Sequence, residues 1–169
     1  MDLLFSFLHN IIFLVIFMKK VEAYIPKLED LCYRMHLLSD DLTMKYNHDY
    51  GGTIDFNEEK WQAWYDRWIN KENRYYAYLR NENGEFIGEI SYRLEGDKYI
   101  CSIIIENKYR HNGYGKLGLD LLCKIAKENK IKYLYDDIAK DNSSINLFLS
   151  NGFEIEYEAS KIIMVKKIL

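Results

Sequence analysis

Residues 103–116 run I-I-I-E-N-K-Y-R-H-N-G-Y-G-K. A β-branched apolar run passes through a short polar segment into a loop with one arginine and two glycines, and then into apolar residues at helical spacing. That order dictates a strand, a tight loop and a helix. The first amides of a helix have no partners inside it, and the aligned peptide dipoles leave partial positive charge there. Gly113 and Gly115 carry no side chain, so a phosphate group can come close to the backbone. Arg110 and Lys116 add full positive charge. Residues 110–116, namely Arg110, His111, Asn112, Gly113, Tyr114, Gly115 and Lys116, therefore form a candidate anion cradle. The spacing differs from G-x-G-x-x-G and no parallel βαβ unit surrounds it, so it is not a dinucleotide fingerprint.

The elements around the cradle follow from periodicity and turn signals. Residues 21–25 alternate and read as a short strand ended by Pro26. Leu28, Leu31, Cys32, Met35 and Leu38 recur at helical spacing. Residues 47–56, with Gly51-Gly52, form a polar loop. Asn57 can cap a second helix, with Glu58 and Glu59 in its first turn. On that helix Trp61, Trp64, Tyr65 and Trp68 make a stripe that packs on the core, with a share able to wall a pocket. Residues 75–80, 86–94 and 98–105 read as strands joined by turns at Asn83-Gly84 and Glu95-Gly96-Asp97, which implies antiparallel hairpins. Residues 114–129 form a helix with Leu117, Leu121, Leu122, Ile125 and Ala126 inward. Residues 131–136 are a strand, 143–149 a helix ended by Asn151-Gly152, and 153–157 and 161–166 two closing strands. The expected fold is mixed α/β, one mostly antiparallel central sheet flanked by helices. No repeat or linker marks a boundary within residues 19–169, which are expected to form a single domain.

The first eighteen residues are apolar from Leu3 to Phe17 except for Ser6, His9 and Asn10. Asp2 precedes the run and Lys19 and Lys20 follow it, the reverse of a secretory leader. A membrane span of roughly 20 apolar residues would be longer and unbroken. If the run did insert, the two lysines would keep the domain on the cytoplasmic side. The preferred reading is a start at Met18, with a peripheral apolar helix as the remainder; membrane contact is expected only if residues 1–18 belong to the native chain. The net charge of −3 with no basic stripe argues against a nucleic-acid partner. Cys32, Cys101 and Cys123 are odd in number and form no CxxC, which points to a reducing cytoplasm and no disulfide frame. The four histidines show no metal-ligand spacing, so no metal is expected.

Arg110-His111-Asn112-Gly113-Tyr114-Gly115 resembles the R/Q-x-x-G-x-G/A signature of the GNAT N-acetyltransferase superfamily. The segment D-N-S-S-I-N-L-F-L-S-N-G-F, from Asp141 through Phe153, resembles that family's second signature, an Asn-started helix closing with Gly-Phe. The order of elements is similar over residues 19–169. The resemblance implies that acetyl-CoA is the co-substrate and that amides of residues 111–116 hold its pyrophosphate. It further implies that the strand through Ile103 and Ile105 splays from its neighbour to pair with the pantetheine arm. An N–H near Ile105 would polarise the thioester carbonyl. Asn142 and Phe148 would lie along the cofactor, and a primary amine on a small molecule or a protein would attack directly. Phe148 stands where many members carry a proton-donating Tyr, and the spacing from Asn142 to Gly152 is about one residue shorter than the commonest pattern.

An attacking amine must be neutral, so a base or water relay is needed. Glu89, Glu106, Asp136 and Asp137 are the carboxylates in reach. Strand alternation sends Asp136 and Asp137 to opposite faces, and an inward carboxylate on a central strand is costly unless it serves a purpose. Glu89 and Asp137 are the candidate catalytic bases. His48, Asp49, Tyr50 and Asp55 could line an acceptor site for a cationic amine. Two other readings are a non-catalytic acyl-CoA-binding module, suggested by Phe148, and a membrane-tethered interaction protein using residues 1–18. Exposed closing strands in this family often pair between subunits, so a homodimer is one expectation.

Overall fold

The computed structural model describes residues 19–47 and 51–169. The apolar extension and three residues named for the acceptor loop, His48, Asp49 and Tyr50, lie outside the described residues. Seven strands form one sheet: β1 (Glu22–Tyr24), β2 (Arg74–Arg80), β3 (Phe86–Glu95), β4 (Lys98–Ile105), β5 (Tyr133–Ala139), β6 (Glu154–Glu158) and β7 (Ile162–Ile168). Their order across the sheet is β1-β2-β3-β4-β5-β7-β6. Each neighbouring pair is antiparallel except β4 and β5, which run parallel. Two helices, α1 (Leu31–Ser39) and α2 (Trp61–Trp68), cover one face over β1 to β3, while α3 (Tyr114–Glu128) and α4 (Ile145–Ser150) cover the other.

Local chemistry sets these elements. The β3–β4 hairpin turns on Gly96-Asp97, with Glu95 opposite Lys98 and Gly96 at φ 60. In the β2–β3 turn, Asn81 Oδ1 accepts the N–H groups of Asn83 and Glu85, each at 3.0 Å. Asn and Gly are the residues such turns require. At the far end of α3, Lys130 takes φ 63. The Lys130 N–H donates to Lys127 O at 2.9 Å and the Ile131 N–H to Ala126 O at 3.0 Å. This is a Schellman closure with lysine in the left-handed position. It corrects the expected strand at residues 131–136: Ile131 is spent on closing the helix, so β5 begins at Tyr133 and extends to Ala139.

The two faces carry two cores. Beneath α3 and α4 lie Leu79, Ile90, Cys101, Leu119, Leu122 and Val165, all buried. Beneath α1 and α2, Trp64 packs edge-on against Tyr76 at 4.7 Å and Phe56 at 5.7 Å. The tryptophan stripe is thus chiefly core, as its spacing indicates.

Two glycines set how closely layers approach. A Cβ at Gly118 would lie 2.6 Å from Leu79 Cδ1 and 2.9 Å from Ile103 Cδ1, so α3 sits directly on β2 and β4. A Cβ at Gly88 would lie 2.1 Å from the carbonyl oxygen of Ile104, a backbone atom that no rotamer change can move. Gly88→Ala is therefore expected to destabilise by about 3 kcal/mol or more, the top of the usual overpacking range. Urea unfolding measures it, and a loss below about 1 kcal/mol would show that β3 and β4 separate easily.

Candidate active site

The Glu106 N–H donates to Ile87 O at 2.9 Å. In an antiparallel ladder this makes Gly88–Ile105 a non-hydrogen-bonded pair, so Cys101, Ile103 and Ile105 turn their backbone groups away from β3 and toward β5. Yet β5 meets β4 in register at one residue pair only, Ile100 with Tyr135. Past that pair the parallel strands part. β5 stays in register with β7 as far as Ala139 with Ile162. The sheet therefore opens in its middle, and the amides of Ile103 and Ile105 face the opening.

The chain then leaves β4 through a 3-10 turn, Asn107–Tyr109, and reaches the cradle at the mouth of this gap. His111 takes φ 60 and Gly113 φ 86. Gly113 is the N-cap of α3, and no side chain caps the helix. The first amide bonded within the helix is that of Leu117, to Gly113 O at 3.3 Å. Among the described residues, no carbonyl or side chain accepts the amides of Tyr114, Gly115 and Lys116. Open helix-terminal amides beside an unpaired strand edge suit a long ligand with an anionic end. The two glycines differ in role. Gly113 answers to its positive φ, whereas a Cβ at Gly115 would press on Leu147 Cδ2 at 3.2 Å, so Gly115 lets α4 pack against α3.

The two cations of the motif are both engaged. Arg110 donates from Nε to Ile105 O (2.9 Å), from Nη1 to Leu42 O (3.2 Å) and from Nη2 to Thr43 O (2.6 Å). Burial pulls the Arg110 pKa below its ordinary value. Lys116 Nζ reaches Asp120 at 3.1 Å and Asn151 Oδ1 at 3.2 Å. A third cation was not legible in the sequence: Lys19 Nζ donates to Asn112 O at 2.8 Å and sits 5.3 Å from the Tyr114 ring centroid. Asn142 Oδ1 accepts the Ser144 N–H at 2.9 Å and so starts the turn into α4. Phe148 is 2% exposed, with Phe153 edge-on at 5.0 Å, which places it in the core.

The other face of the sheet carries the carboxylates. Glu89 is buried, with one oxygen on Arg34 Nη1 and the other on the Tyr76 hydroxyl. The Arg34 guanidinium lies 4.7 Å from the Trp64 ring centroid, 5.2 Å from Tyr76 and 5.4 Å from Phe56. Burial alone would lower the Arg34 pKa, but the Glu89 carboxylate outweighs it and holds Arg34 above its usual value. Glu106, also buried, accepts Lys108 Nζ at 2.9 Å and the Tyr33 hydroxyl at 3.3 Å, with His36 Nε2 at 3.3 Å. Burial first, then Glu106, drives the Tyr33 pKa upward. Asp55 pairs with Lys60 at 2.7 Å on the surface. Among the described residues no group of three or more His, Cys, Asp or Glu is arranged to hold a metal.

On β5, Leu134 and Ile138 face the α3 core, so Asp136 shares that face and Asp137 takes the face of Glu89. Asp137 is exposed and Asp136 half-buried. Desolvation, then the neighbouring Asp137, raises the Asp136 pKa well above the carboxylate range. Because the folded value exceeds the unfolded one, Asp136 favours folding in acid and loses that contribution as pH rises through its folded pKa. Asp136→Asn should thus raise Tm at about pH 7.5 and change it little at about pH 4. Calorimetric scans at both values decide, since an equal shift would mean a solvated carboxylate.

The model of the acetyltransferase (GNAT) family matches residues 35–153. No curated protein sequence matches the chain. A domain from Methanocaldococcus jannaschii superposes with TM-score 0.74 at 23% identity, over 90% of this chain and 100% of that one. The PaiA N-acetyltransferase from Thermoplasma acidophilum, in complex with coenzyme A, gives TM-score 0.65 at 18% identity over 89% and 99%. A spermidine N-acetyltransferase from Vibrio cholerae, in complex with CoA and spermine, gives 0.73 at 13% identity over 89% and 95%. With the split between β4 and β5 leading into the open amides of α3, and with the family model spanning both signatures, this chain belongs to the GNAT acetyltransferase family.

Proposed function

We propose that this protein transfers an acetyl group from acetyl-CoA to a primary amine by direct attack. The observation that carries the proposal is the parting of β4 from β5 beyond Ile100–Tyr135, with the uncapped N-terminus of α3 at its mouth. The amides of residues 111–116 would take the pyrophosphate, and the Ile103 and Ile105 edge would pair with the pantetheine arm. When bound, acetyl-CoA supplies an acyl thioester already activated for transfer. The chain's own part is to align that carbonyl, stabilise its developing negative charge with a backbone N–H near Ile105, and receive the amine's proton.

Of the two candidate bases, Asp137 is exposed on the face shared with Glu89, whereas Glu89 is buried against Arg34 and Tyr76. Its exposure makes Asp137 the carboxylate that an acceptor reaches more readily, with Glu89 fixing Arg34 and Tyr76 on the same face. Asn142 is assigned to the pantetheine side. A bound spermine in a structural neighbour is consistent with a cationic amine acceptor. The three cysteines are free, which supports a cytoplasmic site of action. No helix among the described residues is long and apolar enough to cross a membrane.

Calorimetric titration with acetyl-CoA is the first test, with Gly113→Asp as control. Aspartate tolerates the left-handed backbone better than most residues but sets a carboxylate where phosphate would lie. Binding is expected in the wild type and lost in the variant, and acetyl-CoA at 100 times its Kd should stabilise the fold by about 2.7 kcal/mol. A folded protein that does not bind would sink the proposal. Phe148, with no proton to donate where many members of the family carry a Tyr, supports one rival, a non-catalytic acyl-CoA-binding module. Thiol release across a panel of primary amines separates the two. With an accepted amine, Asp137→Asn should lower kcat/KM by about 100-fold, the scale of general-base catalysis, while unchanged turnover in both Asp137→Asn and Glu89→Gln would remove the carboxylate base.

A further inference from the structure

The motif arginine ties two separate parts of the chain together. Its guanidinium bonds the carbonyl of Ile105 behind it and the carbonyls of Leu42 and Thr43, more than sixty positions earlier. The link is doubled, since the Asn107 N–H donates to Thr43 Oγ1 at 2.9 Å. Thr43 and Met44 are buried, at 4% and 5% exposure, and the Thr43 N–H is held by Asp40 Oδ2 at 2.9 Å. Met44 N–H bonds Asp40 O at 2.9 Å and Asn47 N–H bonds Met44 O at 2.8 Å. The segment that leaves α1 is thus a short internally bonded unit, and its attachment to the end of β4 runs through Arg110 and Asn107.

The acceptors of Arg110 and of the Asn107 N–H are all main-chain or hydroxyl oxygens, not carboxylates. A guanidinium spreads rigid, planar donors over several carbonyls at once, which a lysine cannot do. The same arginine therefore joins the loop of residues 110–116 to Leu42 and Thr43 through one side chain.

We propose that Arg110 is a positioning residue that couples occupancy of the cradle to the order of residues 40–47, the chain leading from α1 to the acceptor side. The proposal rests on acetyl-CoA occupying the cradle. It predicts that filling the cradle steadies residues 40–47 further, so that the two substrates bind cooperatively.

Hydrogen exchange of the full chain, with and without coenzyme A as the probe, tests it in wild type, Arg110→Gln and Thr43→Val. In the wild type, coenzyme A should slow exchange both in residues 111–118 and in residues 40–47. In Arg110→Gln the protection of 111–118 should persist while the ligand-induced slowing of 40–47 falls by about 5-fold or more, the lower end of usual coupling. Thr43→Val, which removes only the hydroxyl acceptor, should give a smaller loss and stands in if Arg110→Gln does not fold. A purely static tie would raise exchange in 40–47 equally with and without ligand. That result, or protection confined to 111–118 in the wild type, overturns the coupling while leaving the cofactor site intact. Absence of protection anywhere overturns both.

Discussion

Backbone amides inside a sheet are normally paired, because an unpaired polar group away from water is costly. The parting of β4 from β5 is tolerable only because each strand is held firmly on its other side. β4 stays in register with β3 over its whole length, and β5 with β7 over all of its own. α3 pins β4 from one face through Gly118, where Ile103 and Leu79 leave no room for a Cβ. Held this way, the two strands cannot slide together to close the gap. The open edge of β4 runs into the open amides of α3 within about ten residues of chain, so the proposed site would offer one continuous stretch of backbone to a strand-like arm and an anionic group on one ligand.

On the opposite face the constraint is a buried charge. Glu89 stands on a central strand, and a lone carboxylate there would be strongly disfavoured. Arg34 and Tyr76 donate to its two oxygens, and the rings of Phe56, Trp64 and Tyr76 enclose the Arg34 guanidinium. Removing one partner of such a pair typically costs about 3–5 kcal/mol, far more than the intact pair contributes. The network therefore specifies how α1 seats on β2 and β3.

Much of this was legible in the sequence, because the informative signals are local. Two turn dipeptides, Asn83-Gly84 and Gly96-Asp97, demand the hairpins they form. The positive φ of Gly113 is a backbone necessity. The strand-loop-helix order around Arg110 follows from where β-branched residues stop and helical spacing begins. What stayed hidden was long-range. Nothing near Arg110 says that its donors end on Leu42 and Thr43, and nothing near Glu89 names Arg34. The β5 boundary was missed because lysine, not glycine, closes α3, so the Schellman residues read as strand. Leu147, thirty-two positions on, stands 3.2 Å from where a Cβ of Gly115 would lie, a packing reason for glycine that the local motif does not show. Apart from the β5 boundary, which Lys130 decides locally, the deciding partner lies far away along the chain.

The cradle shows how charge and geometry divide the work. Arg110 and Lys116 are positive, and a reading from sequence aims both at an anion. Arg110 is held by three carbonyls, while Lys116 rests in an exposed bridge to Asp120 with a contact to Asn151. A guanidinium bonded to three carbonyls has not lost its charge, only its freedom, and its field still reaches a site a few residues away. In the proposed site, direct contact would fall to the amides of α3, whose positions are set by the helix itself. A point charge on a flexible stem would have to be ordered anew each time an anion bound, at the expense of side-chain entropy. A row of amides is ordered already when the protein folds. Stitching the cations into the scaffold keeps their long-range attraction while the short-range grip stays with the backbone, and it is this same stitching, through Thr43, that gives the cradle a lever on the chain leaving α1.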